Sequence, residues 1–308
     1  MTHPVNVATR SALIPRSGPD PDPTDCLEDT VSTAPVRPPV PYFGGKQRLA
    51  RRIAALLPDH THYIEPYCGG LSVLLAKDRS PLETVNDKDG ELVTFWRVLR
   101  DQPDEFAQVC ALTPHSRSEH ALSYEPAESD LEIARRVWVR LTQSRSGRMD
   151  RSGWRHCKAD IGTNMPAYLD GYRLRLHPAA ERLMGVQLEC RPALDLITAF
   201  GGRDDVLLYV DPPYLGSTRG SSGYRHEMRT EAEHQELAAA LTNCKAAVVL
   251  SGYQSPLYDE LYARWCRVEM TASAGNARSD RTRARTEVLW SNRPIPADVL
   301  AREAPREG

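Results

Sequence analysis

The run Val206-Leu207-Leu208-Tyr209-Val210 constrains this chain more than any other segment, because five consecutive apolar residues stop abruptly at Asp211-Pro212-Pro213-Tyr214. A run without polar alternation suits a strand buried on both faces, as in a parallel sheet covered by helices on each side. Two successive prolines hold φ and donate no N–H, so the strand ends there. The flanking segments agree with a doubly wound α/β fold. Leu49, Ile53, Leu56 and Leu57 recur at helical spacing until Pro58. Residues 62–64 lead through Glu65-Pro66-Tyr67-Cys68-Gly69-Gly70 into a helical stretch at 71–77, which reads as strand, glycine turn, helix. A second strand at 82–85 ends in Asn86-Asp87-Lys88-Asp89-Gly90, and Leu92, Phe95, Trp96 and Leu99 then mark one face of a helix. Thr230 with Glu233 predicts a capping box opening a helix through Leu237 and Leu241. Residues 246–250 form the next strand, and 267–271 with 287–290 form two more.

A length of 308 residues predicts about two domains. Residues 1–40 are rich in Pro, Ser, Thr and Asp and are expected to be a disordered tail, as are 301–308. Residues 101–185 change character and read as an insertion between the early and late βα units. Ile133, Val137 and Leu141 predict a helix within it, followed by a polar, Arg-rich stretch. Twelve Arg or Lys against five Asp or Glu fall between 135 and 191. The whole chain has a net charge of −2, so any affinity for a polyanion rests on such local excesses. Residues 273–285 read as a flexible loop carrying Arg278, Arg281, Arg283 and Arg285. No apolar run approaches the roughly 18 residues of a membrane span. Seven scattered cysteines without a CxxC pair suit a reducing cytoplasm, and the N-terminus shows no secretory pattern. His60 and His62 lack a complete ligand set around them, so no metal is expected.

In an open α/β sheet ligands gather beyond the carboxyl ends of the strands, which places Asp211-Pro212-Pro213-Tyr214 where chemistry would occur. An Asp carboxylate and a proline carbonyl aimed at one point can accept both hydrogens of an amino group, and the tyrosine ring offers a stacking face to a planar base. That pattern suits reaction at an exocyclic amine, with the acceptors drawing off its proton. The same residues also read as a strand terminator with a capping Asp. Gly69 and Gly70 would let the backbone approach a ligand closely at a helix N-terminus. Asp87, about 20 residues on, stands where an acid hydrogen-bonds a ribose hydroxyl; its plainer reading is a solvated turn carboxylate.

Taken in order, Tyr42-Phe43-Gly44-Gly45-Lys46, Glu65-Pro66-Tyr67-Cys68-Gly69-Gly70, Asp211-Pro212-Pro213-Tyr214 and Thr286-Glu287-Val288-Leu289-Trp290-Ser291-Asn292 resemble the motifs of the Dam-like DNA adenine-N6 methyltransferases. Asn86 to Gly90 leading to Phe95-Trp96-Arg97-Val98-Leu99-Arg100, with Tyr224 to Met228 and Leu250-Ser251-Gly252-Tyr253, is similar to the phage and mobile-element branch. The resemblance implies a Rossmann-like S-adenosylmethionine-dependent methyltransferase fold: a seven-stranded, mostly parallel sheet ending in an antiparallel hairpin. Its catalytic domain would span 41–100 and 186–300, with 101–185 as an inserted target-recognition domain. It implies Asp211, Pro212, Pro213 and Tyr214 as catalytic residues. Tyr42, Gly45 and Lys46 would hold the carboxylate end of S-adenosylmethionine, Glu65 and Gly69 the cofactor loop, and Asp87 the ribose. Asp195 would lie near the cofactor's adenine, with Asp204 and Asp205 competing for that role. Arg145, Arg148, Arg151 and Arg155, with Arg281 and Arg283, are the expected DNA contacts. Two positions depart from the family pattern: Cys68 replaces a small apolar residue, and Leu71 stands where many relatives carry a further glycine. The expected substrate is adenine in double-stranded DNA, turned out of the duplex and methylated without a metal by a cytoplasmic enzyme, read as a monomer, that either pairs with a cognate restriction endonuclease or acts without one. The alternatives are a cytosine-N4 or RNA base methyltransferase, and a DNA-binding module that has lost catalysis.

Overall fold

A computed structural model describes residues 36–156, 164–215, 228–270 and 286–295. Its seven strands are β1 (His62–Glu65), β2 (Leu82–Asn86), β3 (Gln187–Glu189), β4 (Val206–Val210), β5 (Ala247–Tyr253), β6 (Cys266–Met270) and β7 (Glu287–Ser291). They form one sheet in the order β3-β2-β1-β4-β5-β7-β6. The first five run parallel, with His62 opposite both Leu82 and Val206 in register. β7 inserts antiparallel between β5 and β6 and supplies the expected closing hairpin.

The apolar run in β4 divides by side-chain parity, as a pleated strand must. Val206, Leu208 and Val210 join one core with Val248, Leu250, Val288 and Trp290, whereas Leu207 and Tyr209 join the other with Val85 and Val249. The first core is covered by α9 (Ala193–Phe200), α10 (Glu231–Thr242) and α11 (Pro256–Leu261). The second is covered by α1 (Ala50–Ala55), α2 (Ser72–Ala76) and α3 (Gly90–Asp101), with α4 (Pro103–Leu112), α6 (Asp130–Gln143), α7 (Met165–Arg173) and α8 (Leu176–Leu183) packed outward from them. Helices therefore lie on both faces, and the sheet is doubly wound.

Local signals set several helix starts. Asp89 caps α3 by accepting from the amides of Glu91 and Leu92, and Ser129 caps α6 by accepting from Glu132. Thr230 and Glu233 make the predicted capping box at α10. The middle section shares the main core: Val137, Trp138 and Leu141 of α6 are fully buried in the same cluster as Phe95 and Trp96 of α3. The nearly inaccessible Arg140 donates to Glu91 Oε2 at 2.7 Å, tying α6 to the first turn of α3. Order begins earlier than residue 41, since Pro38, Pro39 and Val40, expected in the tail, are buried; Val40 packs into the main core and Arg175 donates to Pro38 O.

β1 and β4 lie side by side while the chain leaves them toward opposite edges of the sheet. A crevice opens at such a switch point, beyond the carboxyl ends of the two strands. Glu65 ends β1 there, and Asp211 follows β4.

Candidate active site

A cleft of about 250 Å³ occupies this crevice. Tyr42, Gly45, Lys46, Glu65, Gly69 and Asp87 all line it, together with Asp211 and Pro213. The expected cofactor and catalytic segments, separated by more than a hundred residues, thus share one wall. Asp195 does not line the cleft. It is exposed on the first turn of α9, because that helix turns Ala193, Leu196 and Ile197 inward, and the cleft is lined instead by Pro192, Ala193 and Leu194. Its competitor Asp205 precedes β4 at the opposite end of the strand and accepts from Thr61 Oγ1 at 2.8 Å.

Gly69 and Gly70 make room for a protein ring. A Cβ on Gly69 would stand 2.7 Å from Tyr42 Cε1, and one on Gly70 would stand 2.7 Å from Tyr42 Cβ. Tyr42 therefore packs directly on the glycine turn and brings the segment through Lys46 over the cleft, where Gly45 N donates to Tyr42 O at 3.0 Å. Phe43 N donates to Gly147 O at 2.8 Å, joining the same segment to the middle section. Leu71, where relatives carry glycine, adopts the left-handed conformation at φ 53° with its side chain fully buried. That conformation costs an L residue about 1–2 kcal/mol, here offset by burial of the isobutyl group.

The two outer acids are held by the backbone. Asp87 Oδ2 accepts from Gly69 N at 3.1 Å and Oδ1 from Asp89 N at 2.9 Å, while burial pushes its carboxyl up to about 6. Glu65 Oε1 accepts from Tyr63 Oη at 2.7 Å and from Leu74 N at 2.9 Å. Burial pushes Glu65 up to about 8, so it carries its proton at neutral pH. It braces α2 against β1 from the floor of the cleft.

At the end of β4 charged and polar groups converge. Lys46 Nζ lies 2.9 Å from each oxygen of Asp211, donates to Gly44 O at 2.9 Å and stands 3.6 Å from Glu287 Oε1. The ammonium expected to meet the cofactor's carboxylate is thus engaged by protein acids, because two buried carboxylates need a countercharge. Burial raises the Asp211 pKa above the usual carboxylate range; Lys46 lowers it, and Glu287 raises it further. Tyr214 is buried. Its hydroxyl contacts Glu287 Oε1 and lies 3.1 Å from Asp211 Oδ1, its ring meets Tyr253 edge-on at 4.5 Å, and Lys46 Nζ lies 4.7 Å from the ring centroid. The ring expected as an open stacking face is instead packed within the protein. Pro212 and Pro213 are buried beside it. Glu287 and Ser251 were not expected in this cluster; the available signal was one acid opening the otherwise apolar run Glu287-Val288-Leu289-Trp290.

The expected DNA contacts divide. Arg145 and Arg151 are exposed; Arg151 makes a loose 3.5 Å pair with Glu125. Arg148 is held in two parallel 2.9 Å bonds by Asp150. Arg155 donates to Ser144 O at 3.1 Å and Arg145 O at 2.9 Å, so its fork is used on the backbone. Arg281 and Arg283, with the rest of the 273–285 loop, lie outside the described residues. His60 and His62, the considered metal pair, hydrogen-bond separately with Ser80 and Thr84.

The Type II methyltransferase M1.LlaDCHI of Lactococcus lactis subsp. cremoris is 25% identical over 278 residues, spanning 83% of this chain and 95% of the relative. Among solved structures, the rRNA methyltransferase aviRa of Streptomyces viridochromogenes overlaps 83% of this chain and 84% of its own at 15% identity with a TM-score of 0.34. The precorrin 8w decarboxylase of Methanobacterium thermoautotrophicum overlaps 84% of this chain and 96% of its own at 11% identity with a TM-score of 0.33. Both superpositions are loose, and the fold assignment rests on the strand order above. The family signature of D12 class N6 adenine-specific DNA methyltransferases matches residues 42–129 and 173–274. With that match running over most of the parallel sheet and through the Asp-Pro-Pro-Tyr turn, the chain belongs to the D12 class of N6 adenine-specific DNA methyltransferases.

Proposed function

We propose that this enzyme transfers the methyl group of S-adenosylmethionine to N6 of an adenine turned out of duplex DNA. The observation that carries the reading is Asp211, an acid at the end of β4 facing the same cleft as Asp87 and the Gly69–Gly70 turn. The cleft's chemistry fits the cofactor. Asp87, pushed up to about 6 by burial, would be held ionised by the hydroxyl donors of a ribose, and Pro192, Ala193 and Leu194 offer an apolar wall to a purine. When bound, S-adenosylmethionine supplies a methyl group made electrophilic by its sulfonium. Asp211 and the Pro212 carbonyl would accept the two N6 hydrogens, free the nitrogen lone pair from the ring and draw off the proton. Base extrusion is required because the paired amine is out of reach inside the duplex. Positioning and exclusion of water are then the protein's main contributions.

Residues 101–185 would read the target sequence. The family match skips 130–172, the part that carries the exposed Arg145 and Arg151, so contacts particular to this chain belong there. The Type II designation of the Lactococcus relative supports a restriction endonuclease of the same specificity as cellular partner. The test is incubation with methyl-labelled S-adenosylmethionine and unmethylated duplex DNA, followed by nucleoside digestion and mass spectrometry. N6-methyladenine is expected; label confined to N4-methylcytosine or RNA, or no label despite demonstrated cofactor binding, overturns the reading.

A further inference from the structure

Behind the Asp-Pro-Pro-Tyr turn, two acids share one lysine and one tyrosine. Glu287 opens β7 and is buried at 6% exposure. Its Oε1 accepts from Ser251 Oγ at 2.7 Å and from the Tyr214 hydroxyl, and stands 3.6 Å from Lys46 Nζ. Lys46 lies 2.9 Å from both oxygens of Asp211. Tyr214 has one hydroxyl hydrogen, and Glu287 is its nearer acceptor, so Asp211 is left with the ammonium as its main donor.

This arrangement sets the substrate amine in competition with Lys46 for Asp211. A carboxylate offers about four acceptor sites; Lys46 engages both Asp211 oxygens and the Tyr214 hydroxyl lies 3.1 Å from Oδ1, so an incoming amine N–H competes with the ammonium for them. Deprotonating or expelling Lys46 would leave Asp211 and Glu287 as two uncompensated buried charges, which is strongly unfavourable. A shift of somewhat under ~1 Å toward Glu287 would shorten the present 3.6 Å separation to an ordinary ion-pair distance and keep the cluster's charge unchanged.

We infer that Glu287 is a positioning residue for the transfer reaction: it anchors the Tyr214 hydroxyl and receives the Lys46 ammonium when the substrate amine takes its place on Asp211. This rests on the proposed N6 transfer. Among the described residues, the titratable and charged groups facing Glu287 are Lys46 from the segment before α1, Asp211 and Tyr214 from the turn after β4, the Tyr209 phenol on β4, and the Tyr253 phenol, the register partner of Glu287 on β5. Ser251 on β5 adds a neutral hydroxyl, and Met270, the register partner of Glu287 on β6, adds no charge.

The test measures steady-state methyl transfer against pH for wild type, Glu287→Gln, Glu287→Asp and Ser251→Ala, with cofactor binding followed separately by calorimetry. In Glu287→Gln the ammonium loses the carboxylate that stands 3.6 Å away, so kcat should fall at least about ten-fold, while KM for DNA and cofactor affinity stay within about three-fold. Loss of its charge also removes one of the influences that hold Asp211 high, so the acidic limb of kcat should move to lower pH. Glu287→Asp keeps the charge and should leave that limb near its wild-type position while still lowering kcat. If Glu287→Gln does not fold, as judged by circular dichroism, Ser251→Ala decides. It removes one hydrogen bond from Glu287 and should lower kcat by about two- to five-fold at unchanged KM, whereas wild-type kcat overturns the inference. A folded Glu287→Gln variant with wild-type kcat and an unmoved acidic limb also overturns it, leaving the transfer reading intact. Absence of N6-methyladenine from the wild-type reaction is read first and would bring down both.

Discussion

Replacing Gly70 with alanine tests whether the glycine turn exists to receive Tyr42. The added Cβ would stand 2.7 Å from Tyr42 Cβ and 3.3 Å from Cγ. Carbon contacts settle at about 3.5–4.0 Å, so one partner must retreat by about 1 Å. Rotating the Tyr42 ring gives no relief, because the closest atom is the root of its side chain. Gly70 is not among the residues of positive φ, which leaves the clash as the whole effect. Overpacking of this kind costs about 1–3 kcal/mol. Tyr42 begins the segment that delivers Lys46 to Asp211, and a displacement of about 1 Å at a reacting centre lowers rate by about a hundred-fold. Urea unfolding and initial rates of methyl transfer read the two effects separately. Gly69→Ala supplies the contrast, since its Cβ meets the ring at Cε1, 2.7 Å away, and Gly69 sits at φ 45°. Replacing Tyr42 with alanine should therefore reduce the cost of Gly69→Ala to the left-handed penalty of about 1 kcal/mol. It should leave most of the cost of Gly70→Ala, because Tyr42 Cβ remains. Wild-type stability in Gly70→Ala, or equal relief of both variants by Tyr42→Ala, would refute the reasoning.

Asp211→Ala should abolish transfer while S-adenosylmethionine still binds, as measured by calorimetry; retained turnover would show that the acceptor lies elsewhere. The acidic limb of wild-type kcat should lie above the usual carboxylate range, because burial raises the Asp211 pKa; a limb at pH 4 or below, where exposed carboxylates titrate at about 3.9, would contradict this. Glu65, pushed up from 4.5 to about 8, binds its proton more tightly folded than unfolded, so its contribution is complete below pH 4.5 and is lost as pH rises through about 8. Glu65→Gln removes that loss, and its stability relative to wild type should grow by a few kcal/mol (about 1.4 per pH unit) between pH 5 and 8; parallel pH profiles would reject the raised pKa. Arg145→Ala and Arg151→Ala should each lower the slope of log affinity for DNA against log salt by about 0.9 without changing stability. Arg155→Ala should instead lower the thermal midpoint, since its guanidinium holds two carbonyls, and identical behaviour of the three variants would undo the distinction.

Much of the fold was legible because its signals are local. The β4 run, the Thr230–Glu233 capping box and the Ile133–Val137–Leu141 spacing each depend on residues a few positions apart, and all appear as strand or helix where expected. The middle section was harder. Its insertion character showed in composition, but its sharing of a core with α3 depends on Trp138 meeting a surface built by Phe95 and Trp96, roughly forty residues away. Asp195 stands off the cleft lining for a similar reason: acidity near a strand end is visible in one dimension, while the direction in which α9 turns it is not.

The motifs by themselves determined the family, the doubly wound sheet and which strand ends border the cleft, since turn-forming and apolar residues act over short range. Only the tertiary structure decided what those residues do to one another. It placed the Tyr42 side chain against Gly69 and Gly70, spent Arg155 on carbonyls, and packed the Tyr214 ring inward. It also brought Lys46, Asp211 and Glu287 together from three distant segments. Two buried carboxylates require a shared cation and fixed donors, and which groups answer that requirement is settled by packing in space rather than by order along the chain.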